Sequence, residues 1–180
     1  MEQENTLYTL LVYSENIAGI LNQITAVFTR RQVNIESLNV SASSIEGLHK
    51  YTITAWSDED QITKITKQIE KKIDVVKAQY YRDDELYIRE TGLYKLSTPE
   101  VMANPEISRT VRRNDAFITE VNPIYVIVMK SGRTEEIMAL YDKLNAFGCI
   151  LQYTRSGRIA VTRSTEEEVS RYLEEREKRA

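Results

Sequence analysis

Apolar residues recur along this chain with two alternating periods, and the alternation runs through twice. From Thr6 to Tyr13 the run TLYTLLVY is β-branched, aromatic and aliphatic almost throughout, which predicts a buried strand. Ile20, Leu21, Ile24, Val27 and Phe28 then fall at three- and four-residue spacing, one apolar stripe of a helix whose Asn22, Gln23 and Arg30 point elsewhere. Val33 to Ser41 reads as a strand, but Val33 and Ile35 share one face while Leu38 and Val40 fall on the other. The alternation slips near Glu36-Ser37, so a bulge is predicted there. After a loop from Ser43 to Gly47, Leu48 to Trp56 returns as a strand with His49, Tyr51, Ile53 and Ala55 on one side. Ser57-Asp58 predicts a helix cap ahead of the stripe Ile62, Ile65, Ile69 and Ile73, and Val75 to Tyr81 closes the unit as a strand. The order βαββαβ predicts an antiparallel sheet covered on one face by two helices, the ferredoxin-like arrangement.

A short charged junction, Arg82-Asp83-Asp84, precedes a second round. Glu85 to Leu96 predicts a strand, and Pro99 to Arg113 a helix that Pro105 breaks or delays, with a true start at Asn104. Phe117 to Val121 and Ile124 to Lys130 predict two strands joined at Asn122-Pro123, the second apolar at nearly every position, as for a strand covered on both faces. Thr134 is placed to cap a helix with the stripe Ile137, Leu140, Tyr141, Leu144 and Phe147, and Gly148 stands where a left-handed terminator belongs. Cys149 to Thr154 and Arg158 to Thr162 flank Ser156-Gly157 and predict a closing hairpin. Thr165 and Glu168 have capping-box spacing at the head of a polar helical tail. The fold class is therefore α+β, two tandem ferredoxin-like (βαββαβ) domains. Residues 1–82 form the first, 83–163 the second, and 164–180 a surface helix.

Composition narrows the function classes. The 180 residues carry 24 basic and 27 acidic side chains, a formal charge of −3 that gives no long-range field for gathering phosphates, and no local basic patch is strong enough to replace it. No apolar run is long enough to span a bilayer, and the start Met1-Glu2-Gln3-Glu4-Asn5 is polar and unlike a signal, so a cytoplasmic location is expected. One cysteine, Cys149, and one histidine, His49, far apart in sequence, offer no cluster of metal ligands and no internal disulfide, so no metal site is expected.

Catalytic constellations are not legible. His49 sits at the edge of an apolar strand face, where packing is its default role, and Cys149 reads as a small buried hydrophobe. The acidic groups Asp83-Asp84, Glu135-Glu136 and Glu166-Glu167-Glu168 lie at helix starts or junctions, where negative charge complements the helix dipole. The basic groups Arg30-Arg31, Arg112-Arg113 and Arg176 to Arg179 end helices, where solvated cations meet the opposite pole. The six glycines are dispersed, so no phosphate-binding loop is present. An enzyme acting alone has no chemistry to use here.

The informative segment is Ser14-Glu15-Asn16-Ile17-Ala18-Gly19-Ile20-Leu21, between the first strand and the first helix. Small Ala18 and Gly19 let backbone approach a ligand closely, the amides of the following turn favour an anion such as an α-carboxylate, and Asn16 offers both a donor and an acceptor. The stretch SENIAGILNQITAVFTRRQVNIESLNV resembles the ACT-domain signature of the small regulatory subunits of acetolactate synthase, also called acetohydroxyacid synthase, with NIESL its most distinctive piece. RRNDAFITEVNPIYVIVMKSGRTEEIMALYDKLNAFGCILQYTRSGRIAVTRS is similar to that family's C-terminal domain, so the resemblance runs from about Leu7 to Ser164.

The resemblance implies a non-catalytic subunit of valine, leucine and isoleucine biosynthesis that activates a large catalytic subunit and makes it subject to feedback inhibition. The effector it implies is a branched-chain amino acid, valine foremost. Two ACT domains are then expected to pair into a homodimer with effector between them. Asn16, Ala18, Gly19 and Ile20 would line one wall, and Asn34 and Ile35 of the second copy the other. Thiamine diphosphate, magnesium and FAD would belong to the catalytic subunit, and this chain would hold no cofactor. Two positions depart from the family pattern: Ile20 replaces a smaller residue, and Gln32 replaces a glycine often found two places before Asn34. The Tyr94 to Glu106 segment is also less similar than its surroundings. ACT-like folds serve many masters, which leaves as the alternative a free-standing amino-acid sensor controlling another enzyme or transcription. A transcription regulator needs a helix-turn-helix and a basic face, and neither is evident.

Overall fold

A computed structural model describes residues 5–165 and 168–178. The elements in chain order are β1 (Thr6–Glu15), α1 (Ile20–Arg30), β2 (Ile35–Ala42), β3 (Leu48–Ser57), α2 (Glu59–Glu70), β4 (Val75–Tyr81) and β5 (Leu86–Ser97). They continue with α3 (Thr98–Ala103), α4 (Pro105–Arg113), β6 (Phe117–Val121), β7 (Tyr125–Gly132), α5 (Thr134–Asn145), β8 (Ile150–Arg155), β9 (Ile159–Thr162) and α6 (Glu168–Glu177). Among the described residues, those up to Ile88 together with those from Arg158 onward form one compact unit, and Arg89–Gly157 the other. Two antiparallel sheets with flanking helices make the tandem ferredoxin-like fold that the alternation of periods predicts. The acidic run at 166–168 and the basic run at 176–179 fall wholly or partly outside the described residues.

In the first unit the strand order is β2-β3-β1-β4, which leaves β2 and β4 as edges. Tyr8, Leu10 and Val12 of β1 alternate with Leu11 and Tyr13, so the two sets face opposite sides of the sheet. The first set packs with Ile24, Val27 and Phe28 of α1 and with Ile62, Ile65 and Ile69 of α2 in one core. The slip predicted near Glu36-Ser37 is present as a register shift in the β2–β3 ladder between Ile35 and Ser37. Asp58 caps α2 by accepting from the Gln61 N–H at 2.7 Å. Ile73 departs from its predicted stripe: α2 ends at Glu70, so Ile73 lies past the helix and is 99% exposed.

The second face of this sheet is covered by chain that returns from far along the sequence. Leu11, Tyr13 and Tyr81 cluster with Leu86 and Ile88 from the start of β5, Ala160 of β9 and Val169 of α6. Arg158, only 6% exposed, pairs with Asp83 at 2.9 Å and fastens the returning segment. The hairpin predicted across Ser156-Gly157 does not form, because β8 and β9 each pair with β5 instead of with each other.

In the second unit the order is β6-β7-β5-β8. Pro105 divides the predicted helix into α3 and α4, and Asn104 caps the latter by accepting from the Glu106 N–H at 3.0 Å. Ile107 and Val111 of α4, Ile137, Leu140 and Leu144 of α5, and Tyr94, Leu96, Val126 and Val128 of the sheet form its core. Strand β7 is covered on one face only, contrary to its apolar sequence: Val126 and Val128 are buried while Tyr125, Ile127 and Met129 are half-buried. Thr134 is not the cap of α5 but its first residue. The cap position is Arg133, whose N–H donates to the Glu136 carboxylate at 2.6 Å, while the Thr134 hydroxyl donates to Glu90. Gly148 adopts the predicted left-handed conformation at φ 68°.

Candidate functional site

The loop from Glu15 to Gly19 is held at both ends. The Glu15 N–H reaches the Asp74 carbonyl at 2.9 Å, and Ile17 and Ile20 close tight turns onto the Glu15 and Ile17 carbonyls at 3.1 and 3.3 Å. Gly19 stands at the N-cap of α1 with φ 90°, a left-handed geometry that a side chain disfavours, and it supplies no side-chain acceptor. The first-turn amides beyond Ile20 are therefore open to an anionic group arriving from outside. Asn16, Ala18 and Gly19 are exposed, and Ile17 and Leu21 flank them at 43% and 41% exposure. The Ile20 side chain turns inward with 3% exposure, so what it offers at this turn is backbone.

At its other end α1 stops in a Schellman motif. The Gln32 N–H reaches the Thr29 carbonyl and the Val33 N–H the Phe28 carbonyl, both at 3.1 Å. Gln32 takes the left-handed position with φ 54°, which is why glycine suits it and why glutamine there is strained. Thr25, Phe28, Thr29, Gln32, Val33, Asn34 and Ile35 line a groove of about 410 Å³. Asn34 is exposed and Ile35 half-buried in it. The two threonines were not legible as part of a site; their hydroxyls bond back to the α1 carbonyls of Leu21, Asn22 and Thr25. Within one chain the loop at Asn16 and the pair Asn34-Ile35 do not meet, since the 11 residues of α1 stand between them, about 16 Å of helix.

The remaining candidates have structural surroundings. Cys149 is fully buried, its Sγ 3.4 Å from the Leu144 carbonyl, and burial pushes its thiol pKa up, which opposes thiolate chemistry. His49 lies on β3 opposite Ser14 and Ala42, half-buried. Among the described residues no group of His, Cys, Asp or Glu is arranged to hold a metal, and no helix is long and apolar enough to cross a membrane.

A βαββαβ unit with an open turn at the head of its first helix and a free β2 edge defines an ACT-type domain, followed here by a second unit of like topology. Residues 10–77 match the family profile described as the AHAS small subunit-like ACT domain, and residues 89–164 match the profile described as the small subunit of acetolactate synthase. The acetolactate synthase small subunit of Bacillus subtilis is 31% identical over 86% of this chain and 90% of its own length. A probable acetolactate synthase small subunit of Methanothermobacter thermautotrophicus is 32% identical over 92% and 96%. The crystal structure of the small subunit from Thermotoga maritima superposes with a TM-score of 0.79 at 25% identity, covering 89% of this chain and 99% of that one. The chain belongs to the family of acetolactate synthase small subunits.

Proposed function

We propose that this chain is the regulatory subunit of acetolactate synthase, and that it binds a branched-chain amino acid, valine foremost, between the first units of two copies. One observation supports the reading: the Asn16 loop and the Asn34 groove lie at opposite ends of α1, so a site using both would take them from two copies. The free edge of β2 favours antiparallel pairing with its twin, and exposed Ile17, Leu21 and Val40, at 43%, 41% and 38%, would be covered there. The α-carboxylate would accept from the open amides of α1 and from Asn16. The Asn34 carboxamide oxygen would accept from the α-ammonium group, and Ile35 would meet the branched side chain.

Effector bound at such a seam regulates only if it prefers one arrangement of the dimer, with typical couplings of about 1–3 kcal/mol. The subunit would raise the activity of the catalytic chain by docking on it, and valine would shift the complex toward a less active form. Thiamine diphosphate, FAD and magnesium would be carried by that partner. The test is reconstitution: acetolactate formation by the catalytic subunit is measured alone, with this chain, and with this chain plus valine. The account predicts a rise on adding the chain and a fall on adding valine. Rates unchanged in both comparisons would remove it.

A further inference from the structure

The outer side of the first unit carries a groove of about 530 Å³ between α1 and α2, lined by Val27, Arg30, Arg31, Gln68, Lys71 and Lys72. Four of the six are cations and none is acidic, in a chain whose net charge is −3. None of the four forms an ion pair among the described residues, although Lys64 with Asp60, Lys77 with Glu70 and Arg82 with Glu59 do so on the same unit.

Helix-end capping explains each cation singly but not their convergence in one groove. Arg30 ends α1 and Arg31 is its C-cap, while Lys71 is the C-cap of α2, so both helices send their C-terminal cations to one groove. Arg31 donates from Nε to the Gln68 side-chain oxygen at 3.1 Å, which ties the C-cap of α1 to the last turn of α2. That bond leaves both terminal nitrogens of the guanidinium for another acceptor. The floor is the apolar flank of Val27, 1% exposed, and Ile73 projects just past Lys72 at 99% exposure. Uncompensated like charges crowded in a concave surface raise one another's energy and are relieved by a counter-charge.

We propose that this inter-helix groove docks an acidic segment of the catalytic chain. The proposal rests on the regulatory reading above and names the surface through which it acts. Charge complementarity selects the occupant: a carboxylate-bearing segment supplies the missing counter-ions, Arg30 and Arg31 take carboxylates in paired fashion, and Ile73 gives an apolar contact at the rim. The net negative chain argues against nucleic acid as the occupant.

The test measures the dissociation constant of the full-length chain for the catalytic subunit in Arg30→Glu, Lys71→Glu and, as a charge reversal on α2 outside the groove, Lys64→Glu. All three positions are exposed, and circular dichroism checks the fold. Arg30→Glu and Lys71→Glu are expected to weaken association about tenfold or more, with Lys64→Glu within about twofold of the unmodified chain. Raising salt from about 0.05 M to about 0.5 M should weaken the unmodified complex more than either groove variant. Three equal dissociation constants would overturn the groove and leave the regulatory reading standing. No association of the unmodified chain would overturn both.

Discussion

Replacing Gln32 by glycine isolates one backbone term. Gln32 holds φ 54° at the end of α1, where a residue bearing a Cβ is penalised by about 1–2 kcal/mol relative to its right-handed form. Glycine escapes that penalty but loses more backbone entropy on folding, about 0.5–1 kcal/mol, so the expected net gain for Gln32→Gly is about 0.5–1 kcal/mol. The Schellman hydrogen bonds of Gln32 and Val33 are made by the backbone and are unaffected. Urea unfolding of the full chain followed by circular dichroism reads the change, which for a chain of this size corresponds to about 2–4 °C of melting temperature per kcal/mol. Gln32→Ala, which keeps the Cβ, is expected to change stability little. Asp115, in the same motif at the end of α4 with φ 51°, should gain less from glycine, because aspartate tolerates this conformation better. Equal stabilities for the glycine and alanine variants at Gln32 would refute the strain argument.

Other consequences follow from burial. Thr9 is fully buried and its Oγ1 has no hydrogen-bond partner among the described residues, so Thr9→Val should raise stability by about 1 kcal/mol in the same urea experiment. Gly92→Ala would set a Cβ 2.8 Å from Ile137 Cγ2 and 3.0 Å from the Tyr94 hydroxyl; a loss of about 1–3 kcal/mol is expected, with the Tyr94 bond to the Ile137 carbonyl disturbed. Burial raises the pKa of both Cys149 and Tyr94, so the folded state favours their protonated forms. That stability is fully present below the ordinary thiol and phenol ranges and is lost as pH rises from them through the raised values of the folded state. Alkaline titration should therefore weaken the second unit, and a thiol reagent at neutral pH should label Cys149 only after denaturation.

Periodicity made most elements legible, because strand and helix periods are local properties, and it even located the slip between Ile35 and Ser37. What it could not supply was pairing between distant segments. Arg158 to Thr162 looks like half of a hairpin, yet the long strand β5 has room for both β8 and β9. The burial of Val169 against Leu11 and Tyr13 has no local signature at all. Ile73 extends the α2 stripe by spacing alone, and the helix had already stopped. At the candidate site, the Asn16 loop was visible as a run of small and polar residues. Ile20, counted by spacing in the helix stripe and by resemblance in the ligand wall, lies with its side chain in the core. The Thr25 and Thr29 contribution and the crossing of Arg31 onto Gln68 depend on how helix and strand meet in space.

The central claim is that each effector site takes Asn16 from one copy and Asn34 from the other, and complementation in trans tests it most directly. Valine binding is measured by calorimetry on Asn16→Ala, on Asn34→Ala, and on the two variants unfolded together and refolded as a mixture. Each variant alone is expected to lose tight binding. In the mixture half of the dimers are heterodimers, each with one site free of substitution, so tight sites should return at about a quarter of the unmodified capacity. No recovery in a mixture shown to contain heterodimers, or undiminished binding by either variant alone, would contradict the shared site.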